Sequence, residues 1–126
     1  MQNARIFLVE DEELRRKIAR RRLEAVGHQI VLEAADLKRA SYIIRSGQLQ
    51  EKGIDVVIID GCFPDGADDE RFEFNGPKVA AVIRQHYPDM KIIAFTSVEE
   101  KYVTYGIYVK KGNDDWENLQ KTIDSL

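Results

Sequence analysis

The sequence predicts an α/β fold, a doubly wound sheet of five parallel strands with helices on both faces. Three observations carry this. Short apolar runs of strand length alternate with longer segments whose apolar residues recur every three or four positions. The run "VVII" at 56–59 is apolar at every position, as suits a strand covered on both faces. The strand candidates end on polar residues, and in such sheets ligand chemistry gathers beyond the carboxyl ends of the strands.

The elements follow in order. "ARIFLVE" is an apolar run ending in acid, read as the first strand. "DEELRRKIARRRLEAVGH" is the first helix, with Leu14, Ile18, Ala19, Leu23 and Val26 expected on its buried side. Its acids lead, its bases follow and Gly27 closes it, which matches the helix dipole and its usual stop. "QIVLEA" is the second strand. "ADLKRASYIIRSGQLQEKG" reads as a helix beginning near Asp36 and losing its pattern around Gly47. "IDVVIID" is the third strand, and "PKVAAVIRQHY" a helix with Pro77 in its first turn and Pro88 just past its end. "MKIIAFTS" and "YGIYVKKG" are the fourth and fifth strands. "NDDWENLQKTIDSL" closes the chain as an amphipathic helix with Trp116, Leu119, Ile123 and Leu126 on one face.

Composition narrows the function. At 44% hydrophobic and 33% charged residues the chain is expected to be globular rather than disordered. A net charge of −3 offers no general field for nucleic acid or membrane, and no apolar run reaches the length of a membrane span. The single cysteine, Cys62, excludes an internal disulfide and fits a reducing, cytoplasmic setting. The start, "MQNARIFLVEDEE", turns acidic too early for a targeting peptide. The expectation is one domain over residues 1–126.

The strand tips then carry the chemistry. Glu10 and Asp11 follow the first strand, Asp60 the third, Thr96 and Ser97 the fourth, and Lys110 and Lys111 the fifth. Carboxylates gathered at one edge repel one another unless a cation sits among them. A lysine offsets part of that charge, and a hard cation such as Mg²⁺ binds carboxylate oxygens readily. A carboxylate can also act as a nucleophile on phosphorus, helped by ammonium and hydroxyl donors.

The order "LVEDEE … VVIIDGCFP … IIAFTS … YVKKG" resembles the receiver domain of two-component response regulators, over nearly the whole chain. That resemblance implies a flavodoxin-like sheet of strand order 2-1-3-4-5 and a Mg²⁺-dependent phosphoryl switch without a further output domain. Such a switch modifies itself and is not a conventional enzyme. By position, Asp60 resembles the phosphoacceptor, Glu10 and Asp11 the metal carboxylates, and Cys62 the residue whose backbone carbonyl is a further metal ligand. Thr96 resembles the switch hydroxyl, Lys111 the paired lysine and Tyr108 the switch aromatic. The implied partners are a histidine kinase or phosphotransfer protein and a downstream protein target, with nucleic acid not expected.

The pattern also departs from the family. "DGADDERFEF" looks like an insertion beside Asp60, the segment from Thr96 to Lys111 is too short for a full fourth helix, and Gly112 stands where proline commonly follows the lysine. The fourth helix is therefore expected to be shortened or absent. These changes motivate an alternative, a pseudo-receiver that acts as a phosphorylation-independent interaction module. A phosphatase of the aspartate-nucleophile type would want a second aspartate where Cys62 stands.

Blander readings apply to several features. Acid at a strand tip can cap a helix. Strand alternation places Lys110 and Lys111 on opposite faces but does not choose between them; the family spacing favours Lys111. Asp65, Asp68, Asp69, Glu70 and Glu73 do not fit an EF-hand and read first as a solvated, mobile loop whose charge disfavours anionic donors. "RRKIARRR" reads equally as a solvated face or a dock for an acidic partner. His28 and His86 have no ligand-spaced partner.

Overall fold

The computed structural model describes residues 1–112 and 115–126. Asn113 and Asp114, expected to open the last helix, lie outside the described residues. The chain begins with β1 (Arg5–Val9), α1 (Glu13–Glu24), β2 (Gln29–Ala34), α2 (Leu37–Arg45) and α3 (Gln48–Glu51). It continues with β3 (Val56–Ile59), β4 (Phe63–Pro64), β5 (Phe72–Glu73) and α4 (Gly76–His86). It ends with β6 (Lys91–Thr96), a single 3-10 turn (Glu100–Tyr102), β7 (Ile107–Lys110) and α5 (Asp115–Asp124).

Five strands form one sheet in the order β2-β1-β3-β6-β7, every neighbouring pair parallel. Counting only these strands, that is the expected order 2-1-3-4-5. Alternation along each strand splits the core in two. Phe7, Val9, Val57, Ile59, Ile92 and Ala94 face α2 and α4, whereas Ile6, Leu8, Val56, Ile58, Ile93 and Phe95 face α1 and α5. All of β3 is buried, which is why its sequence shows no alternation. Burying each such side chain contributes about 1.5–3 kcal/mol before the entropy of ordering is counted.

The second helix divides where its pattern was expected to fail, and the first departs from expectation at two residues. The long second helix is two, divided at Gly47, with Asp36 capping α2 by accepting from Arg39 N–H at 2.7 Å. Leu14 and Val26, expected to be buried, are 61% and 44% exposed. Val26 falls in the turn beyond α1. At the level of Leu14, the inward place is taken by Arg15, whose guanidinium lies 5.8 Å from the Phe95 ring centre and 5.1 Å from that of Trp116.

The fourth helix of the expected pattern is reduced to the 3-10 turn between β6 and β7. Val103 and Tyr105 from that connection fill the core face instead. The insertion after Asp60 is no simple loop: β4 and β5 pair antiparallel as a short hairpin. At the opposite edge of the sheet, buried His28 accepts from Ala4 N–H at Nδ1 (3.0 Å), so its proton sits on Nε2 and is donated to Asp124 (2.9 Å). Among the described residues, no helix is long and apolar enough to cross a membrane.

Candidate functional site

Parallel pairing delivers the strand tips to one edge. Glu10 N–H donates to Ala34 O and Asp60 N–H to Val9 O, both at 3.0 Å, so the ladder continues to the site itself. Lys111 N–H donates to Thr96 O at 3.1 Å and turns the lysine inward, while Lys110 stays exposed. Lys111 Nζ then lies 2.6 Å from Glu10 Oε1 and 3.1 Å from Asp60 Oδ2. Glu10, Asp11 and Asp60 each offer a carboxylate oxygen, all within 4.8 Å of one another. Thr96 is 1% exposed, and its hydroxyl accepts from Val98 N–H at 3.1 Å. Asp60 Oδ1 accepts from Gly61 N–H at 2.6 Å.

The electrostatics follow from burial and from the one ammonium. Burial raises the Glu10 carboxyl, but Lys111, with hydrogen bonds from Glu12 N–H and Asp11, more than offsets this and leaves it below the usual carboxylate range. Among the described residues Asp11 has no such partner: burial, with Glu10 and Asp60 adding like charge, pushes it up to about 6. Asp60 is also raised, by burial first, with Lys111 opposing and Glu10 adding. Burial likewise raises the Cys62 thiol, helped by Asp60 and Asp11. Three crowded carboxylates beside Lys111, with Arg15 shared between Glu10 and Asp115, remain short of positive charge. Hard oxygen donors short of positive charge fit a divalent cation such as Mg²⁺.

These groups line a cleft of about 250 Å³, joined by Cys62, Ser97, Arg15 and Phe72. Larger clefts lie elsewhere. One of about 750 Å³ runs between α4 and the start of β7, and one of about 350 Å³ lies beside α1. The latter is lined by charges already paired with one another, including Lys17 with Glu13 (3.3 Å), Arg16 with Glu33 (3.6 Å) and Arg20 with Glu33. Much of the basic run in α1 is thus engaged within the chain.

Tyr108 sits apart from the carboxylates, its hydroxyl donating to Val98 O at 2.9 Å. The inserted acids do not join the site. None of Asp65, Asp68, Asp69, Glu70 or Glu73 lines the cleft, and among the described residues Glu10, Asp11 and Asp60 are the only group spaced to hold a metal. Asp65 has a structural part instead, accepting from Asn75 Nδ2 at 2.9 Å.

Three residues at the site escape sequence reasoning. Arg15 spans Glu10 (3.5 Å) and Asp115 (2.9 Å), partners that no local spacing marks, since Asp115 is 100 residues away. Asn75, fully buried, donates to Phe63 O at 2.8 Å and ties the hairpin to α4. Gly76 is where that loop passes the β6–β7 connection, and a Cβ there would lie 2.7 Å from Asp60 O and 2.8 Å from the Tyr105 hydroxyl. Only the folded chain brings these together.

The profile of the response regulator receiver domain matches residues 6–124. The chain belongs to that family: it is a receiver domain of two-component signalling. No curated protein matches it in sequence. Among solved structures, it is similar to the receiver domain of the hybrid histidine kinase CckA, at 27% identity and TM-score 0.69 over 97% of each chain. It is similar to a LuxR-family two-component response regulator from Aurantimonas sp. SI85-9A1, at 27% identity and TM-score 0.72 over 98% of this chain and 84% of that one. The response regulator TrrA of Thermotoga maritima, solved in complex with Mg²⁺–BeF, shares the fold at 23% identity and TM-score 0.71 over 97% of each chain.

Proposed function

We propose that this receiver accepts a phosphoryl group on Asp60 from a histidine kinase or phosphotransfer protein, with Mg²⁺ required, and passes the signal to a protein target. The carrying observation is the convergence of Lys111 on both Glu10 and Asp60 within a cluster of three carboxylates. A solvated helix cap has no need of a half-buried ammonium held between two acids.

Asp60 attacks phosphorus, the donor's phosphorus–nitrogen bond breaks, and the electron pair leaves with the imidazole, which keeps a proton. Glu10, Asp11, Asp60 and the backbone carbonyl of Cys62 are the residues that would hold the metal. When bound, Mg²⁺ neutralises charge on the transferring oxygens. Lys111 would offset the same charge, and the Thr96 hydroxyl is the donor at the tip of β6. Tyr108 is assigned the family's aromatic switch, reading the state of Thr96 through its bond to Val98, the residue whose amide Thr96 holds.

The contracted β6–β7 connection supports a second reading, a pseudo-receiver that binds partners without cycling phosphate. Incubation with Mg²⁺ and a small acyl-phosphate donor, followed by intact mass, separates the two. The first reading predicts a phosphoryl adduct that needs Mg²⁺ and is absent from Asp60→Asn. An unmodified wild-type chain, together with no uptake of a beryllofluoride mimic, would leave the second.

A further inference from the structure

We propose that Phe72, carried by the inserted hairpin, is a steric shield over Asp60 that limits what reaches the cleft. The proposal rests on the reading of Asp60 as phosphoacceptor and names the residue that governs access to it.

The hairpin is built into the fold at its base. Phe63 is fully buried, Asn75 Nδ2 donates to Phe63 O (2.8 Å) and Asp65 Oδ1 (2.9 Å), and Lys38 N–H donates to Asp65 O (2.9 Å). Beyond it, Phe74 meets Tyr105 edge-on, ring centres 6.1 Å apart at 69°. From this base β5 sets Phe72 against a cleft otherwise lined mostly by charged and polar groups. Phe72 lines the cleft while 60% of the residue stays exposed to solvent. The acids of the insertion lie elsewhere, so the filter is made of bulk and apolar surface rather than of charge. This steric part is separate from any longer-range effect of the insertion's charge on anionic donors.

The chemical consequence concerns hydrolysis of the aspartyl phosphate. Water attacks phosphorus, the bond from phosphorus to the Asp60 oxygen breaks, and the carboxylate leaves with the electron pair. Inorganic phosphate is released and the water's proton passes to solvent. An apolar wall beside the phosphorus lowers the number of waters in line for that attack.

Cys62 makes the shield measurable without any phosphoryl chemistry, because it is the single cysteine and lines the same cleft as Phe72. Wild type, Phe72→Ala and Phe72→Trp are treated with iodoacetamide, a neutral reagent that the neighbouring carboxylates do not repel. In parallel, each is labelled with acetyl phosphate and Mg²⁺, freed of donor and followed by intact mass. Phe72→Ala is expected to speed both Cys62 alkylation and phosphoryl loss by about tenfold. Phe72→Trp slows both, and alkylation in denaturant is equal for all three. Alkylation and hydrolysis rates unchanged in both variants would overturn the proposal. Should no chain take up phosphate while Phe72→Ala still exposes Cys62, the phosphoacceptor reading falls and the shield stands.

Discussion

Two connections at the carboxyl edge of the sheet differ from the family pattern in opposite directions. The one after β3 is expanded into a hairpin, whereas the one between β6 and β7 is contracted to a single 3-10 turn. They meet over the site, where Phe74 from the first packs on Tyr105 from the second. The strand tips between them hold their places. β3 pairs with β6 through Ile59 and Ala94, and β6 with β7 through Thr96 and Lys110, so backbone ladders fix Asp60, Thr96 and Lys111 whatever the loops do. The contrast teaches that the chemistry of the cleft is separable from the surfaces around it.

The contact between the two connections can be broken at Gly76. A Cβ there meets Asp60 O at 2.7 Å and Tyr105 Cζ at 2.8 Å, and neither can simply move aside. Gly76→Ala is expected to cost about 3 kcal/mol in urea denaturation. Asn75→Ala follows, since it removes the donor shared by Phe63 O and Asp65. A loss of about 2 kcal/mol by the same measurement is expected, with m unchanged.

The cleft is sharpened by Asp11→Asn. Because the folded Asp11 carboxyl sits at about 6, above its ordinary value of 3.8, the folded state binds the extra proton between those values. Its stability contribution therefore grows as pH falls through about 6 toward 3.8 and is lost as pH rises. With chelator present at pH 7, Asp11→Asn is expected to melt above wild type in a thermal scan and to lose the stabilisation that Mg²⁺ gives wild type. The smallest effect belongs to Tyr105→Phe. Among the described residues the buried Tyr105 hydroxyl has no hydrogen-bond partner, so its removal is expected to leave stability unchanged or raise it by about 1 kcal/mol in the same scan.

Most of the sheet was legible in the sequence because strand length, apolar runs and polar tips are local signals. The charged tips carried the site for the same reason, and Glu10, Asp11, Asp60 and Lys111 meet in the folded chain. What escaped was settled by packing across the fold. Leu14 reads as a buried residue by spacing alone, yet Arg15 stacks on Phe95 and Trp116 from distant parts of the chain. The acids from 65 to 73 drew the eye to charge, yet none of them lines the cleft and Phe72 of the same insertion does, a placement that the β4–β5 pairing sets. Tyr105 looked like the first residue of a strand; it fills core left open by the missing helix.

The central claim is that a working acidic cleft persists beneath rebuilt connections. It is tested most directly by amide spectra of the chain with Mg²⁺ alone and then with Mg²⁺ and beryllofluoride. The account predicts a second set of shifts on adding beryllofluoride, centred on Gly61, Val98 and Lys111, reaching Phe74 and Tyr105 and absent from Asp60→Asn. Spectra that respond to Mg²⁺ but stay unchanged with beryllofluoride would contradict it.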